Sequence, residues 1–178
     1  MSPSATMPRP TCTQRARRER ALPPLDLEAL PGHFIRRLQQ IAVAIFLQET
    51  EATGITPVQY AALQAVADQP PGAPSVDQRT LARIIGFDTS TIAGVIDRLE
   101  ARGLLRRQAS PADRRVRLLV LTDEGRAMLA KVVPGMLRAQ ERMLAPLPAA
   151  ERAEFMRMLR TLVKANNELS RAPSEPAG

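Results

Sequence analysis

The stretch FDTSTIAGVIDRLEARG, residues 87–103, leaves little conformational choice. Asp88 is a good helix N-cap, Ile92, Val95, Ile96 and Leu99 recur at three- and four-residue spacing, and Gly103 suits the left-handed position that closes a helix. Directly before it stands a second short helical pattern, QRTLARIIG. Asp77 can cap that helix, Gly86 can close it, and Leu81, Ile84 and Ile85 are expected to face inward. Two short helices separated by roughly three residues make a helix-turn-helix. The segments that follow, LLRRQ and RRVRLLVL, predict two strands around the turn ASPAD, with Val116, Leu118 and Val120 on one face. A helix-turn-helix followed by a two-stranded wing is a compact lobe.

The flanks predict helices. Leu27, Leu30, Phe34, Leu38, Ile41 and Ile45 form an apolar stripe that Ile35, Ala42 and Phe46 widen. Pro31 and Gly32 interrupt its beginning, so the firm helix is expected from about His33. In GITPVQYAALQAVAD, Thr56 is an N-cap, Pro57 fits the first helical position and Gln59 completes a capping box. Thr122 caps a long helix running to about Leu144. After Pro146 and Pro148 a last helix is expected, with Phe155, Leu159, Leu162 and Leu169 on its buried side. The expected class is mainly α with a small β-wing: a winged helix-turn-helix lobe plus a helical dimerisation region. The expected segments are a disordered basic arm over 1–26, a dimerisation and ligand-pocket helix over 27–54, the DNA-binding lobe over 55–122, C-terminal dimerisation helices over 123–170, and a frayed tail over 171–178.

Charge narrows the partner. With 25 Lys and Arg against 18 Asp and Glu the net charge is +7, which favours a polyanion, nucleic acid before an anionic membrane. Mere surface solubility is the competing explanation until the charges are located. A single cysteine, Cys12, excludes an internal disulfide, and a single histidine, His33, excludes a histidine-built metal site; no cofactor is expected. There is no Gly-rich phosphate loop, HExxH or nucleophile elbow, so an enzyme is not expected. No apolar run reaches membrane-spanning length and no signal segment follows the N-terminal arginines, so a cytoplasmic protein is expected.

On the helix over 89–102 the apolar face is occupied, which leaves Thr89, Ser90, Thr91, Gly94, Asp97 and Arg98 pointing elsewhere. Short hydroxyl side chains at a helix N-terminus suit phosphate contacts and base-edge hydrogen bonds. Gly94 costs about 1 kcal/mol relative to Ala in mid-helix. Close approach to a groove wall would justify it, and so would tight helix–helix packing. Arg114 and Arg115 stand at the expected wing tip, where guanidinium groups fit the narrow minor groove. Asp113 is expected to stabilise the wing by pairing with a nearby arginine, Arg115 or Arg98.

The run TIAGVIDRLEARGLLRR, then DRR, then LTDEG, resembles the winged helix-turn-helix core of the MarR family of bacterial transcription regulators. The likeness extends to ITPVQYAALQAV and the last two helices, roughly residues 30–168. It implies a homodimer whose first and last two helices interlock, binding a pseudo-palindromic double-stranded operator with half-sites about one helical turn apart. By the family pattern Ser90, Thr91 and Arg98 would face the major groove and Arg114 or Arg115 the minor groove. It further implies a repressor released by a small aromatic acid or its coenzyme A thioester, bound between the dimer region and the lobe. Candidate pocket residues are His33, Arg36, Arg37 and Gln40 on the first helix, with Tyr60 and Phe87 on the lobe side. The ordinary alternatives are a helix-surface or interface place for His33, intersubunit ion pairs for Arg36 and Arg37, and core packing for Tyr60 and Phe87. A ligand-independent regulator, a thiol sensor using Cys12, and a non-specific architectural DNA binder are the alternative functions.

Overall fold

The computed structural model describes residues 26–69 and 76–169. Cys12 and the basic cluster Arg15, Arg17, Arg18 and Arg20 lie outside them. The chain runs α1 (Pro31–Glu49), α2 (Pro57–Ala67), α3 (Gln78–Ile85), α4 (Thr89–Ala101), β1 (Leu105–Ala109), β2 (Arg117–Leu121), α5 (Asp123–Leu144) and α6 (Ala149–Ala165), with 3-10 turns at Leu27–Ala29, Glu51–Thr53 and Asn167–Leu169. Among the described residues no helix is long and apolar enough to cross a membrane.

Four helices of the lobe region start where a side chain takes up an orphan backbone N–H. Thr56 accepts from the Gln59 N–H while the Gln59 side chain reaches back to the Thr56 N–H, a full capping box. Asp77 accepts from the Thr80 N–H, Asp88 from that of Thr91 and Thr122 from that of Gly125. Gly86 sits at φ 72° and Gly103 at φ 69°, a region costly for any residue with a Cβ, so α3 and α4 end where the sequence places glycine. The first helix departs from expectation: Pro31 does not delay it but occupies its first position, where the missing N–H has no partner to lose.

One hydrophobic core runs from Phe46 through Ile55, Leu63, Leu81, Ile92, Ile96, Leu99, Leu105 and Leu119 to Val132 and Ala139. Ile84 is not in it; this side chain is exposed and Ala82 takes the inward place. The two strands pair antiparallel with Leu105 opposite Leu121 and Ala109 opposite Arg117. Val116 precedes β2, and the face of β2 that meets the core carries Leu119 and Leu121, one residue out of phase with Leu118 and Val120. Leu119 donates its N–H to the Val76 carbonyl (2.7 Å), and Asp77 bridges Leu118, so the base of the wing is sewn to the start of α3.

Two glycines in α5 allow contacts that no other residue could make. A Cβ on Gly125 would overlap the Leu104 carbonyl, and one on Gly135 would overlap the Glu49 carbonyl and lie 3.0 Å from Thr50 Cγ2. The first contact seats α5 on the turn leaving α4; the second seats it on the end of α1. Around the second, Arg138 donates to Glu49 Oε2 (3.0 Å) and to its carbonyl (3.3 Å), and Arg142 donates to Glu49 Oε1 (3.2 Å). These donors hold the Glu49 carboxyl below the usual carboxylate range. The last helix departs from expectation: no residue of α6 is buried, Leu162 is 53% exposed, and Leu169 lies beyond the helix and is exposed. Among the described residues Phe155 and Leu159 are only half-covered, and none buries a side chain of α6.

Candidate nucleic-acid interface

The site is built on α4 and the hairpin that follows it. Ile92, Val95, Ile96 and Leu99 fix the inner face of α4 in the core, so Thr89, Ser90, Thr91, Asp97 and Arg98 stand exposed on the rest of its surface. At its N-terminal turn Asp88 gathers three donors. Ser90 Oγ lies 2.5 Å from Asp88 Oδ1, the Thr91 N–H donates to the same oxygen (2.8 Å), and Thr91 Oγ1 donates to Oδ2 (2.7 Å). Led by the Ser90 hydroxyl, these hydrogen bonds hold the carboxyl far below the usual carboxylate range, so it stays ionised. From α3, the Gln78 amide donates to the Thr89 carbonyl (3.1 Å), which ties the two helices of the motif together at this same turn.

Gly94 is not a packing glycine. Among the described residues a Cβ there would meet only the Arg98 guanidinium, at 3.8 and 3.9 Å, with no neighbouring helix in reach. Helix–helix packing therefore does not explain it. Its absent side chain leaves a flat place on the helix, over which Arg98 lies.

Sequence reasoning missed Arg107, because its partners are 7 and 10 residues away. From β1, Arg107 pairs with Asp97 (2.6 Å) and with Glu100, both on α4, and its N–H donates to Glu100 Oε1 (3.0 Å). The alternating Arg106-Arg107 pair on a strand is the only local signal, since one of the two must point back toward the helix. Both acidic residues on the outer part of α4 are thus occupied by a cation of the wing. Arg102 closes the other end of α4, donating to the carbonyls of Gly54 (3.0 Å) and Thr53 (3.1 Å).

At the hairpin tip Arg114 and Arg115 are exposed. Asp113 acts differently from the expected guanidinium pairing: its Oδ1 accepts from the Arg115 backbone N–H (2.9 Å), its carbonyl accepts from the Val116 N–H (3.0 Å), and neither Arg98 nor Arg115 forms an ion pair with it. A short acidic side chain that caps its own turn satisfies the backbone locally. The consequence is that Arg98, Arg114 and Arg115 carry charges unmatched by any carboxylate among the described residues.

The six candidate effector residues line neither of two clefts among the described residues, one beside the end of α1 and one beside β2. His33 is half-buried and meets Phe34 edge-on at 5.8 Å, Arg36 donates to Gln40 (3.2 Å) one helical turn on, and Arg37 is exposed. Tyr60 is half-buried against Phe46, 5.9 Å between ring centres, and burial, followed by the charge of Asp68, pushes its hydroxyl pKa up. Phe87 is 38% exposed at the turn between α3 and α4. A cleft of about 460 Å³ opens instead at the end of α1, lined by Leu47, Gln48, Thr50, Glu51, Gly54, Ile55 and Thr56, none of the six.

Known proteins resemble this chain along most of its length. The model of the MarR family matches residues 53–116, from the 3-10 turn before α2 to the wing. The HTH-type transcriptional repressor NicR of Pseudomonas putida is 31% identical over 140 residues, 79% of this chain and 86% of NicR. The structure of Bordetella bronchiseptica BpsR, whose DNA binding is regulated by 6-hydroxynicotinic acid, superposes with a TM-score of 0.72 at 34% identity, covering 79% of this chain and 97% of that one. The repressor CouR on a 23-mer DNA duplex superposes with a TM-score of 0.69 at 31% identity over 77% of this chain and 94% of CouR. CouR from Rhodococcus jostii RHA1 has also been solved with p-coumaroyl-CoA, with a TM-score of 0.66 at 28% identity and the same coverage.

Proposed function

This chain belongs to the MarR family, DNA-binding transcription regulators rather than enzymes, and from that premise we propose that it is a homodimeric repressor, acting in the cytoplasm, that leaves its operator when an aromatic acid or the coenzyme A thioester of one binds. The observation that carries the DNA half of this reading is the imbalance of charge around α4. Asp88, Asp97 and Glu100 are occupied by donors of the chain itself, while Arg98, Arg114 and Arg115 are left free to meet phosphates and groove edges. In this reading Thr89, Ser90, Thr91, Gly94 and Arg98 enter the major groove and Arg114 and Arg115 the adjacent minor groove. Residues 55–122 form the DNA-binding lobe. The helices within 27–54 and 123–170 join the two protomers.

The effector half rests on two proteins of the same fold: BpsR, whose DNA binding is regulated by 6-hydroxynicotinic acid, and CouR, solved with p-coumaroyl-CoA. Here Arg36 or Arg37 would hold a carboxylate and Tyr60 would stand on the opposite wall, in a pocket completed by the second protomer. The scattered placement of the six residues in one chain fits a pocket of that kind.

One titration series tests both halves. Fluorescence anisotropy of the chain's own promoter DNA should show saturable binding that outcompetes random DNA by about 10³-fold or more and weakens steeply with salt. Arg114→Ala and Arg115→Ala should weaken it without changing the oligomer, and unchanged affinity in both would remove the wing from the interface. Adding aromatic acids and their coenzyme A thioesters should release the DNA. A protein that no such compound releases, with DNA binding intact, is a ligand-independent regulator instead.

A further inference from the structure

The first turn of α4 holds more hydrogen bonds than capping requires. One, from the Thr91 N–H to Asp88 Oδ1, satisfies the helix end. The two others come from hydroxyls, Ser90 Oγ to Asp88 Oδ1 and Thr91 Oγ1 to Asp88 Oδ2. An ionised carboxylate only accepts, and a hydroxyl has one hydrogen and two lone pairs. Both hydrogens are therefore committed to Asp88, and what Ser90 and Thr91 turn outward is lone pairs. Both side chains are exposed, so those lone pairs are open to a partner. The same carboxylate sets a negative charge at a helix N-terminus that would otherwise attract phosphate. At Ser90 and Thr91 this tip offers acceptors and no free hydroxyl hydrogen. It suits N–H groups and repels phosphates, which have none to offer.

In the major groove the N–H groups within reach are the exocyclic amines, N6 of adenine and N4 of cytosine; guanine and thymine present O6 and O4 in the same place. We propose that Asp88 is a positioning residue for operator reading, which holds the Ser90 and Thr91 hydroxyls as acceptors so that the tip of α4 selects A or C over G or T on the strand it faces. This rests on the reading of α4 as the helix that enters the major groove, and it adds a direction to the specificity of that helix. Asp88 itself does not touch a base.

The test is selection from duplexes with randomised half-sites, using the full chain as wild type, Asp88→Asn, and the pair Ser90→Ala with Thr91→Val. The wild type should enrich A or C by about threefold to tenfold at one or two positions in each half-site, the worth of one net hydrogen bond. Asn caps a helix as well as Asp, so Asp88→Asn should melt with the wild type. Its amide donates where the carboxylate accepted, which frees a hydroxyl hydrogen. The preference should then vanish or turn toward G and T at those positions and stay unchanged elsewhere. Ser90→Ala with Thr91→Val should erase it while leaving Asp88 in place, which keeps the test decisive if Asp88→Asn fails to fold. A defined operator without an A-or-C bias under the tip, or the same bias in Asp88→Asn, overturns the inference and leaves the DNA-binding reading standing. Enrichment of no sequence at all overturns that reading, and this inference with it.

Discussion

Gly94, Gly125 and Gly135, all within helices, are glycine for two different physical reasons, and substitution should separate them by sign. Gly135 lies against the Glu49 carbonyl and Thr50, so a methyl group has nowhere to go. Gly135→Ala should destabilise the fold by about 1–3 kcal/mol, as overpacking does, and thermal unfolding should show it as a drop of several degrees. Gly125, pressed on the Leu104 carbonyl, should respond likewise. At Gly94 a methyl group meets only the Arg98 guanidinium. Gly94→Ala should therefore raise stability by up to about 1 kcal/mol through helix propensity, while weakening operator binding if the bare backbone is there to let the helix approach DNA. Stabilisation with unchanged operator affinity would leave that glycine without a role in binding.

The link between the wing and α4 belongs to the elements rather than to any one of them. Arg107 joins β1 to α4 through Asp97 and Glu100. Because Asp97 is well exposed and the pairs are partly solvated, Arg107→Ala should cost little stability, at most about 1 kcal/mol. Its effect on operator binding should be larger, at least severalfold, since the wing loses its fixed angle and two carboxylates on α4 lose their counter-charge. Anisotropy and melting on the same samples would show the split; equal small losses in both would reduce Arg107 to a surface ion pair. The elements themselves were legible in the sequence where their signals are local. The caps Thr56, Asp77, Asp88 and Thr122 and the closing glycines Gly86 and Gly103 each act within four residues of where they stand. What could not be read depends on distant chain. The inward face of β2 is set by the register with β1, the partners of Arg107 by the way the hairpin folds back, and the place of Pro31 by how the preceding turn enters α1. Asp113 was legible as a wing residue but not in its manner of bonding, because a backbone N–H two residues on and a guanidinium compete for the same oxygen.

For the molecule as a whole, the apolar surface left open by one chain argues for a second. Phe34, Ile35 and Ile41 on α1 are about half exposed, and α6 adds Met158, Leu162 and Val163 without a single buried residue. Exposed apolar side chains in this number are what the proposed homodimer would cover. Ile35→Glu with Leu162→Glu should convert the protein to monomers in sedimentation velocity and weaken operator binding, and a wild type already monomeric at micromolar concentration would refute the homodimer. The apolar periodicity that made α6 look like a core helix in the sequence does not say what the face packs against, and in the proposed homodimer that would be the second protomer. The two crowded glycines carry a mechanical consequence. Gly125 and Gly135 stand ten positions apart on α5, about 15 Å of helix, one fastened to the turn leaving α4 and the other to the end of α1. Such a strut works as a lever: a swing of about 10° at the α1 end carries the other end through roughly 2.6 Å, by simple trigonometry on that length. That is a large part of the width of a base-pair step.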